Sequence, residues 1–274
     1  MKYNTGLILI FVIAICFFSA GCSKKEEVKS SNSKLTLGNK AQISVSVSNL
    51  KISLPYYRKL GFRKIEARDT GKNPWALISD GTIFIMLSQN KFPSPALTYF
   101  AADMEGRVDR MKQLGITFSD IATKKGKFVS AVLRDPNGLG ITLIRFDAND
   151  LPNSQDTSYT KLGKFGEFSI PTNNLENSLL FWKTVGFSIE HRSQQPYPWA
   201  VLTDGQMTLG IHETDEYDAP VITYYSQDSA RRIAQLKSDG IVFQKEFADE
   251  NGQINNAILH APDNQLFFIF KGEI

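Results

Sequence analysis

A set of short sequence blocks recurs in the same order at an offset of 124 to 126 residues, and this internal repeat constrains the fold more than any other feature. NPWALISDG in the first copy, for example, returns as YPWAVLTDG in the second. The recurring blocks, each given as first and second copy, are 73–81 and 197–205, 95–100 and 220–225, 112–118 and 237–243, and 131–137 and 257–263. Four collinear pairs indicate a duplicated module. The polar and aperiodic segment 147–164 between the copies is predicted to be a linker.

Each copy has the pattern of a strand, a helix and three strands, followed by the same series again. AQISVSV at 41–47 alternates polar and apolar residues, as a half-buried strand does, and the next segment carries apolar residues at helical spacing. Asp80 and Asp204 each precede a Gly between apolar runs, which predicts tight hairpins. The sequence therefore predicts an α+β fold of four βαβββ units, arranged as two eight-stranded modules at 41–146 and 165–272.

The first predicted helix contains a proline. Asn49 is a suitable N-cap for this helix, but Pro55 follows six residues later. A proline inside a helix removes a backbone hydrogen bond and costs about 3 kcal/mol. We therefore predict that the helix begins near Ser53 or is kinked at Pro55.

The N-terminal residues have the pattern of a secretory signal. A basic start precedes an apolar run at 6–18, and SAGC at 19–22 resembles the lipobox of bacterial lipoproteins. The resemblance implies removal of residues 1–21, lipidation of Cys22 and anchoring to a membrane on the extracytoplasmic side of the cell envelope. An uncleaved membrane anchor is the alternative, although the run is short against the roughly 20 residues of a spanning helix. The polar segment 22–40 is predicted to be a flexible tether.

The charge pattern argues against a nucleic-acid partner. The formal net charge is +3, from 31 basic and 28 acidic residues. Basic patches interleaved with aromatic residues, which track a phosphate backbone, are missing from the sequence. We therefore expect a small-molecule ligand, contact with the membrane through the lipid anchor, and no binding to nucleic acid.

Several motifs resemble those of one superfamily. They are the helix ending in YYRKLGF, the W-A-x-x-x-D-G hairpin, and RDPNGLGITLI before the last strand of the first copy. Together they resemble the vicinal oxygen chelate superfamily, which includes glyoxalase I, bleomycin-resistance proteins and extradiol dioxygenases. The resemblance covers about 41–146 and 165–270. It implies that two βαβββ units wrap into an eight-stranded cup, with ligand or metal inside.

The metal positions of that superfamily are mostly occupied here by residues that do not bind metal. Metal-using members place His and Glu ligands on the first, fourth, fifth and eighth strands of a cup. The matching positions in the two copies are Gln42, Met86, Ala96 and Thr142, and Glu167, Gly210, Val221 and Phe268. Of these only Glu167 is a usual ligand, and the chain holds only three histidines, so we expect neither a metal nor another cofactor. A metal-dependent lyase or dioxygenase is kept as an alternative.

Strand alternation predicts which side chains face into the cups. The candidate ligand-binding residues of the first cup are Gln42, Ser44, Trp75, Met86, Thr98 and Thr142. This lining suits either a cavity for a small organic ligand or a filled packing core. The candidate ligand-binding residues of the second cup are Ser169, Trp199, Thr208, Thr223, Tyr225 and Phe268. Trp75 and Trp199 could stack on a planar ligand or belong to the core.

The second cup also has two candidate catalytic residues. Alternation places Glu167 on the first strand and His212 on the fourth, with both side chains facing inward. A carboxylate and an imidazole in one cavity can transfer protons. In the alternative, His212 is simply solvent-facing at the end of its strand.

Three functions agree with these observations. The first is a metal-free, glyoxalase-like or bleomycin-resistance-like envelope lipoprotein that binds a small organic molecule. The second is an enzyme of the same fold that uses Glu167 and His212 as acid and base. The third is an envelope interaction protein with filled cups. The identity of the ligand does not follow from the sequence.

Overall fold

The computed structural model describes residues 35–153, 158 and 160–273. The predicted signal peptide and Cys22 lie outside these residues. Within the described part of the chain, no helix combines the length and the apolar character needed to cross a bilayer.

The first module contains eight strands and two helices. In chain order they are β1 (Lys40–Ser46), α1 (Leu50–Lys59), β2 (Arg63–Arg68), β3 (Trp75–Ser79), β4 (Phe84–Ser88), β5 (Ala96–Ala101), α2 (Met104–Gln113), β6 (Asp120–Lys124), β7 (Lys127–Arg134) and β8 (Gly140–Arg145). A short 3₁₀ turn at Ala148–Asp150 follows.

The second module repeats this series. Its elements are β9 (Lys164–Thr172), α3 (Leu175–Thr184), β10 (Ser188–Ser193), β11 (Trp199–Thr203), β12 (Thr208–Glu213), β13 (Val221–Tyr225), α4 (Ser229–Ser238), β14 (Lys245–Ala248), β15 (Ile254–His260) and β16 (Leu266–Phe270). Each module is thus two βαβββ units, and the predicted α+β fold of four such units is confirmed.

Each module forms one eight-stranded mixed sheet, and the strand order is the same in both. The orders are β2-β3-β4-β1-β5-β8-β7-β6 and β10-β11-β12-β9-β13-β16-β15-β14. The first strands of the two units, β1 and β5 or β9 and β13, pair antiparallel at the centre of the sheet. Each of them also pairs in parallel with the last strand of its own unit. The first and fourth strands of a unit therefore lie side by side and can present side chains to one cup.

Helix α1 begins earlier than the sequence predicts. It starts at Leu50, and the side chain of Asn49 caps it by accepting a hydrogen bond from the Lys51 amide at 3.0 Å. The predicted start near Ser53 is therefore wrong. Pro55 lies inside the helix, but it and Lys51, whose carbonyl it leaves unpaired, are both exposed. Water can satisfy that carbonyl, which lowers the cost of the proline.

The two modules contact each other through their Asp-Gly hairpins. Asp80 is fully buried, and its Oδ1 accepts hydrogen bonds from the amides of Thr82 and Ile83 at 2.7 Å each. Its Oδ2 accepts a hydrogen bond from the Tyr224 hydroxyl of the other module at 2.7 Å. In the mirrored position, burial and the charge of Asp204 raise the pKa of Tyr99 well above its usual value. Each hairpin thus brings a carboxylate to a tyrosine of the opposite copy.

Contacts between helices and turns complete this pseudo-symmetric interface. The Tyr57 hydroxyl of α1 donates to Asp263 Oδ1 at 3.3 Å, and Asn137 Nδ2 donates to Ser178 Oγ of α3 at 3.0 Å. The Tyr57 ring also contacts Phe267 edge to face, with 5.9 Å between the ring centroids. The hydrophobic core is accordingly one cluster with members from both modules.

Candidate functional site

A cleft of about 1460 Å³ opens in the second module. Its floor is the concave face of the second sheet, where alternate residues of β9, β12, β13 and β16 point the same way. The residues of this module predicted to share a cup all line the cleft: Glu167, Ser169, Trp199, Thr208, His212, Thr223, Tyr225 and Phe268.

Glu167 and His212 are in contact in the cleft. His212 Nε2 lies 2.6 Å from Glu167 Oε1, although 45 residues separate the two in sequence. The parallel pairing of β9 with β12 makes this contact possible. Glu167 is only 5% exposed and the His212 side chain 15%, so the alternative in which His212 faces solvent is wrong. The two groups share one hydrogen bond, and a proton can pass between them.

Two hydroxyl groups extend this contact into a short chain of hydrogen bonds. Ser169 Oγ donates to Glu167 Oε1 at 2.7 Å and lies 2.6 Å from Thr223 Oγ1. A hydroxyl has one proton, and that of Ser169 is used on Glu167, so Thr223 is the donor to Ser169. The chain of donors fixes the position of the carboxylate in the buried floor.

Gly210 leaves the space that the Glu167 carboxylate occupies. A Cβ at position 210 would lie 2.1 Å from Glu167 Oε1 and 2.2 Å from its Cδ. No side chain fits there while Glu167 keeps its position. Gly210 matches a usual metal-ligand position of the superfamily but has no side chain. It is therefore the residue that makes room for the Glu167 carboxylate.

Aromatic rings surround His212. Trp199 stacks on the imidazole with 6.4 Å between ring centroids and 21° between the planes. Tyr197 and Tyr217 contact the imidazole edge to face at 5.9 and 6.4 Å. Trp199 is held in place because its Nε1 donates to the Gln195 carbonyl at 2.9 Å. Of the two roles left open for this tryptophan, the structure places it in the wall of the cleft and not in the core.

Three tyrosines of the cleft stay uncharged at neutral pH. Burial raises the pKa of Tyr217 and of Tyr225 above the usual value of 10.0, and the nearby Glu167 charge raises both further. The pKa of Tyr197 is raised by burial and then by Glu216 and Glu167. Their hydroxyls are therefore protonated and can donate hydrogen bonds to a ligand or to water.

The first cup is built on the same plan from different residues. Ser44 and Thr98 share a hydrogen bond of 2.8 Å, as Ser169 and Thr223 do in the second module. Gln42 and Thr142 are the register neighbours of Thr98 on the two sides, and Met86 lies beside Ser44. The predicted residues of the first cup therefore share one face. Trp75, the first residue of β3, lies opposite Ser88 and is half-buried.

Three substitutions remove the polar pair from the first cup. The repeat places Gln42 where the second module has Glu167, Met86 where it has Gly210, and Ser88 where it has His212. Neither ionisable member of the pair is present, and a methionine occupies the space of the glycine. The first cup therefore lacks the chemistry of the second.

The donor set does not fit a metal of the kind that the superfamily uses. The described residues contain no group of three or more His, Cys, Asp or Glu side chains placed to hold one ion. At the four matching positions of the second cup, Glu167 is accompanied by Gly210, Val221 and Phe268, which offer no ligand side chain. Glu167 and His212 alone make two donors.

Several residues of the cleft were missed from sequence. Tyr197, Tyr217 and Glu216 come from loops, and Glu190 and Phe247 lie on the edge strands β10 and β14. Loops have no hydrophobic period, and the edge strands gave no clear alternation. The one available signal is that Tyr197 directly precedes the repeated PWA motif and that Tyr217 is an aromatic residue in the acidic loop ETDEYD.

Comparison with solved structures identifies the fold. The chain is similar to a catechol 2,3-dioxygenase (TM-score 0.54, 16% identity, 88% of this chain and 94% of that chain). It is also similar to the 2,3-dioxygenase LapB from Pseudomonas sp. KL28 (TM-score 0.56, 13% identity, 89% and 94%). A third similar structure is homoprotocatechuate 2,3-dioxygenase from Brevibacterium fuscum (TM-score 0.56, 13% identity, 90% and 75%). The chain therefore has the tandem fold of the vicinal oxygen chelate superfamily.

Sequence comparison gives a narrower relationship. No model of a known protein family matches the chain. The uncharacterized protein YurT of Bacillus subtilis (strain 168) is 31% identical over 121 residues, which cover 37% of this chain and 94% of YurT. The chain belongs to the family of YurT.

Proposed function

We propose that the second module binds a small organic molecule in its cleft without the help of a metal ion. The observation that carries this proposal is the combination of an aromatic wall with the buried pair Glu167 and His212 at the floor. Ligand sites of proteins are typically concave, mostly apolar, and supplied with a few polar groups that fix the orientation of the ligand. The carboxylate is held in place by Ser169 and His212, which leaves Oε2 as one such polar group.

The Trp199 ring favours a ligand with a flat ring. The similar solved structures include dioxygenases of catechol and homoprotocatechuate. The identity of 13–16% makes this a likeness of fold alone. The stacked Trp199 gives this chain its own surface for a planar group.

A ligand screen with a matched pair of variants tests the proposal. Full-length protein in detergent is screened by thermal shift, since a ligand at 100 times its Kd stabilises the folded state by about 2.7 kcal/mol. Trp199→Ala should remove most of this stabilisation, while Trp75→Ala, the same change at the equivalent position of the first cup, should leave it intact. Equal losses in both variants, or a loss in Trp75→Ala alone, would refute binding in the second cup.

A second candidate is acid–base catalysis at the same site. The 2.6 Å contact between Glu167 and His212 favours it, because a base next to an imidazole can take a substrate proton and pass it on. Glu167→Gln keeps the shape and removes the base. Under this hypothesis turnover of a bound substrate falls by about 10²- to 10⁴-fold with little change in affinity. Under the binding hypothesis only the affinity changes.

We infer further that the protein is held at the cell envelope by a lipid on Cys22. The apolar run at 6–18 and the SAGC sequence at 19–22 support this. Cys22→Ser should abolish incorporation of a labelled fatty acid and release the protein from the membrane fraction. If the label persists in this variant, the lipid is attached elsewhere and the inference fails.

A further inference from the structure

The lining of the cleft is negatively charged, unlike the chain as a whole. The formal net charge of the chain is +3. Two lysines, Lys164 and Lys245, line the cleft. The carboxylates that line it outnumber them and are Glu167, Glu190, Glu216, Asp218 and Glu273. Glu167 is buried and the other four are exposed, so the lining carries an excess of carboxylates that favours a positive ligand.

Only one oxygen of the Glu167 carboxylate is used in the hydrogen bonds that hold it. The hydrogen bonds from Ser169 and His212 both reach Oε1. No hydrogen bond to Oε2 is found among the residues that the structure describes. The floor of the cleft therefore presents a carboxylate oxygen that can accept a hydrogen bond from a ligand.

The walls of the cleft suit the same kind of ligand. Tyr217 and Phe268 meet edge to face at 5.4 Å, and Phe268 contacts Phe270 at 5.3 Å. With Trp199 and Tyr197 beside His212, these rings line the cavity around the carboxylate. Ring faces carry partial negative charge and attract cations, most strongly at Trp and where water is excluded. An anionic ligand would meet the rings and five carboxylates, against two lysines and no arginine in the described lining.

We propose that the ligand of the second module is an organic cation, a protonated or quaternary amine on an apolar body, whose positive group lies between Glu167 and the aromatic rings. This inference rests on the proposed binding function and specifies its ligand. A carboxylate or phosphate ester of similar size is disfavoured by the same charges.

Three probes of similar size and different charge test this inference. They are benzyltrimethylammonium, 3-phenylpropan-1-ol and 3-phenylpropanoate, titrated into the full-length protein by calorimetry. The cation should bind more tightly than the alcohol, and the anion should bind most weakly. Glu167→Gln should weaken the affinity for the cation by about tenfold or more and leave the affinity for the alcohol nearly unchanged. As a control, Glu105→Gln removes one carboxylate from the first turn of α2, outside the cleft. It should change neither the affinity for the cation nor that for the alcohol.

The outcomes separate this inference from the proposed function. If the anion binds as tightly as the cation, or if Glu167→Gln leaves the ratio of cation to alcohol unchanged, the cation inference fails while binding in the cleft stands. If none of the probes binds to the unmodified protein in a manner that Trp199→Ala weakens, both fail. The charge preference is read on the unmodified chain first, so the test does not depend on how well a variant folds.

Discussion

Replacing Gly210 by Ala places a methyl group where the Glu167 carboxylate lies. The new Cβ would be 2.1 Å from Oε1 and 2.4 Å from Oε2, and ordinary contacts begin near 3.4 Å. The carboxylate must therefore withdraw by more than 1 Å and give up its hydrogen bonds to His212 and Ser169. A hydrogen bond to a charged group contributes about 1.5–3 kcal/mol, so we expect Gly210→Ala to destabilise the protein by about 2–3 kcal/mol.

A double-mutant cycle isolates the cause of this loss. In a Glu167→Ala background the carboxylate is gone, so adding Gly210→Ala should be neutral or slightly stabilising, as alanine in a strand is relative to glycine. The coupling energy between the two sites should then be about 2 kcal/mol or more. Gly140→Ala is the matched control, because its Cβ would meet only Ala96 Cβ at an ordinary 3.6 Å. The free energies of unfolding are measured by urea denaturation at constant m value. Equal costs of Gly210→Ala in both backgrounds would refute the steric reasoning.

Three further predictions concern the rest of the fold. Tyr224→Phe removes the buried hydrogen bond to Asp80 across the modules and should cost about 2 kcal/mol in urea denaturation, and a cost below about 0.5 kcal/mol would contradict the assigned role. Asn174→Ala removes the N-cap of α3, whose side chain accepts a hydrogen bond from the Asn177 amide at 2.9 Å. The free energy of unfolding should fall by about 1 kcal/mol in the same assay. An unchanged denaturation midpoint would argue against the capping role. At alkaline pH, tyrosinate absorbance should rise together with the loss of circular dichroism. Burial raises the pKa of seven tyrosines in the folded state, whereas tyrosines of the unfolded chain ionise near pH 10. Stability from these groups is complete below about pH 10 and falls as the pH rises above it, in the case of Tyr56 until its folded-state pKa of about 12. Reversible titration near pH 10 of more than two of the nine tyrosines in folded protein would contradict this.

The repeat and the strand alternation were sufficient to predict four βαβββ units, and the resemblance to a known superfamily supplied their arrangement into two cups. Four collinear blocks defined two copies, and the period of two residues in each strand placed Glu167 and Ser169 on one face. Both inferences use local information that burial imposes on a chain. The start of α1 was not predicted correctly, because the penalty of Pro55 depends on whether the carbonyl that it leaves unpaired reaches solvent.

The site was predictable only in part. Its floor follows from alternation, but the contact between Glu167 and His212 requires the parallel pairing of β9 with β12 over 45 residues. From the sequence, Gly210 indicates only that a usual metal-ligand side chain is missing. The structure is needed to show that the Glu167 carboxylate occupies the space beside it. Tyr217 enters the cleft from a loop, where position is set by tertiary contacts and not by any period.

The contacts between each hairpin carboxylate and a tyrosine of the opposite module affect how far the two copies can differ. Each copy supplies half of an interface that the other needs, so neither copy can be discarded even if its own cup has no ligand. Joined in one polypeptide, the copies were released from the requirement of being identical that binds two subunits encoded by one gene. Gln42 and Met86 of the first cup therefore need not match Glu167 and Gly210 of the second, because the first copy is still required for the interface between the modules.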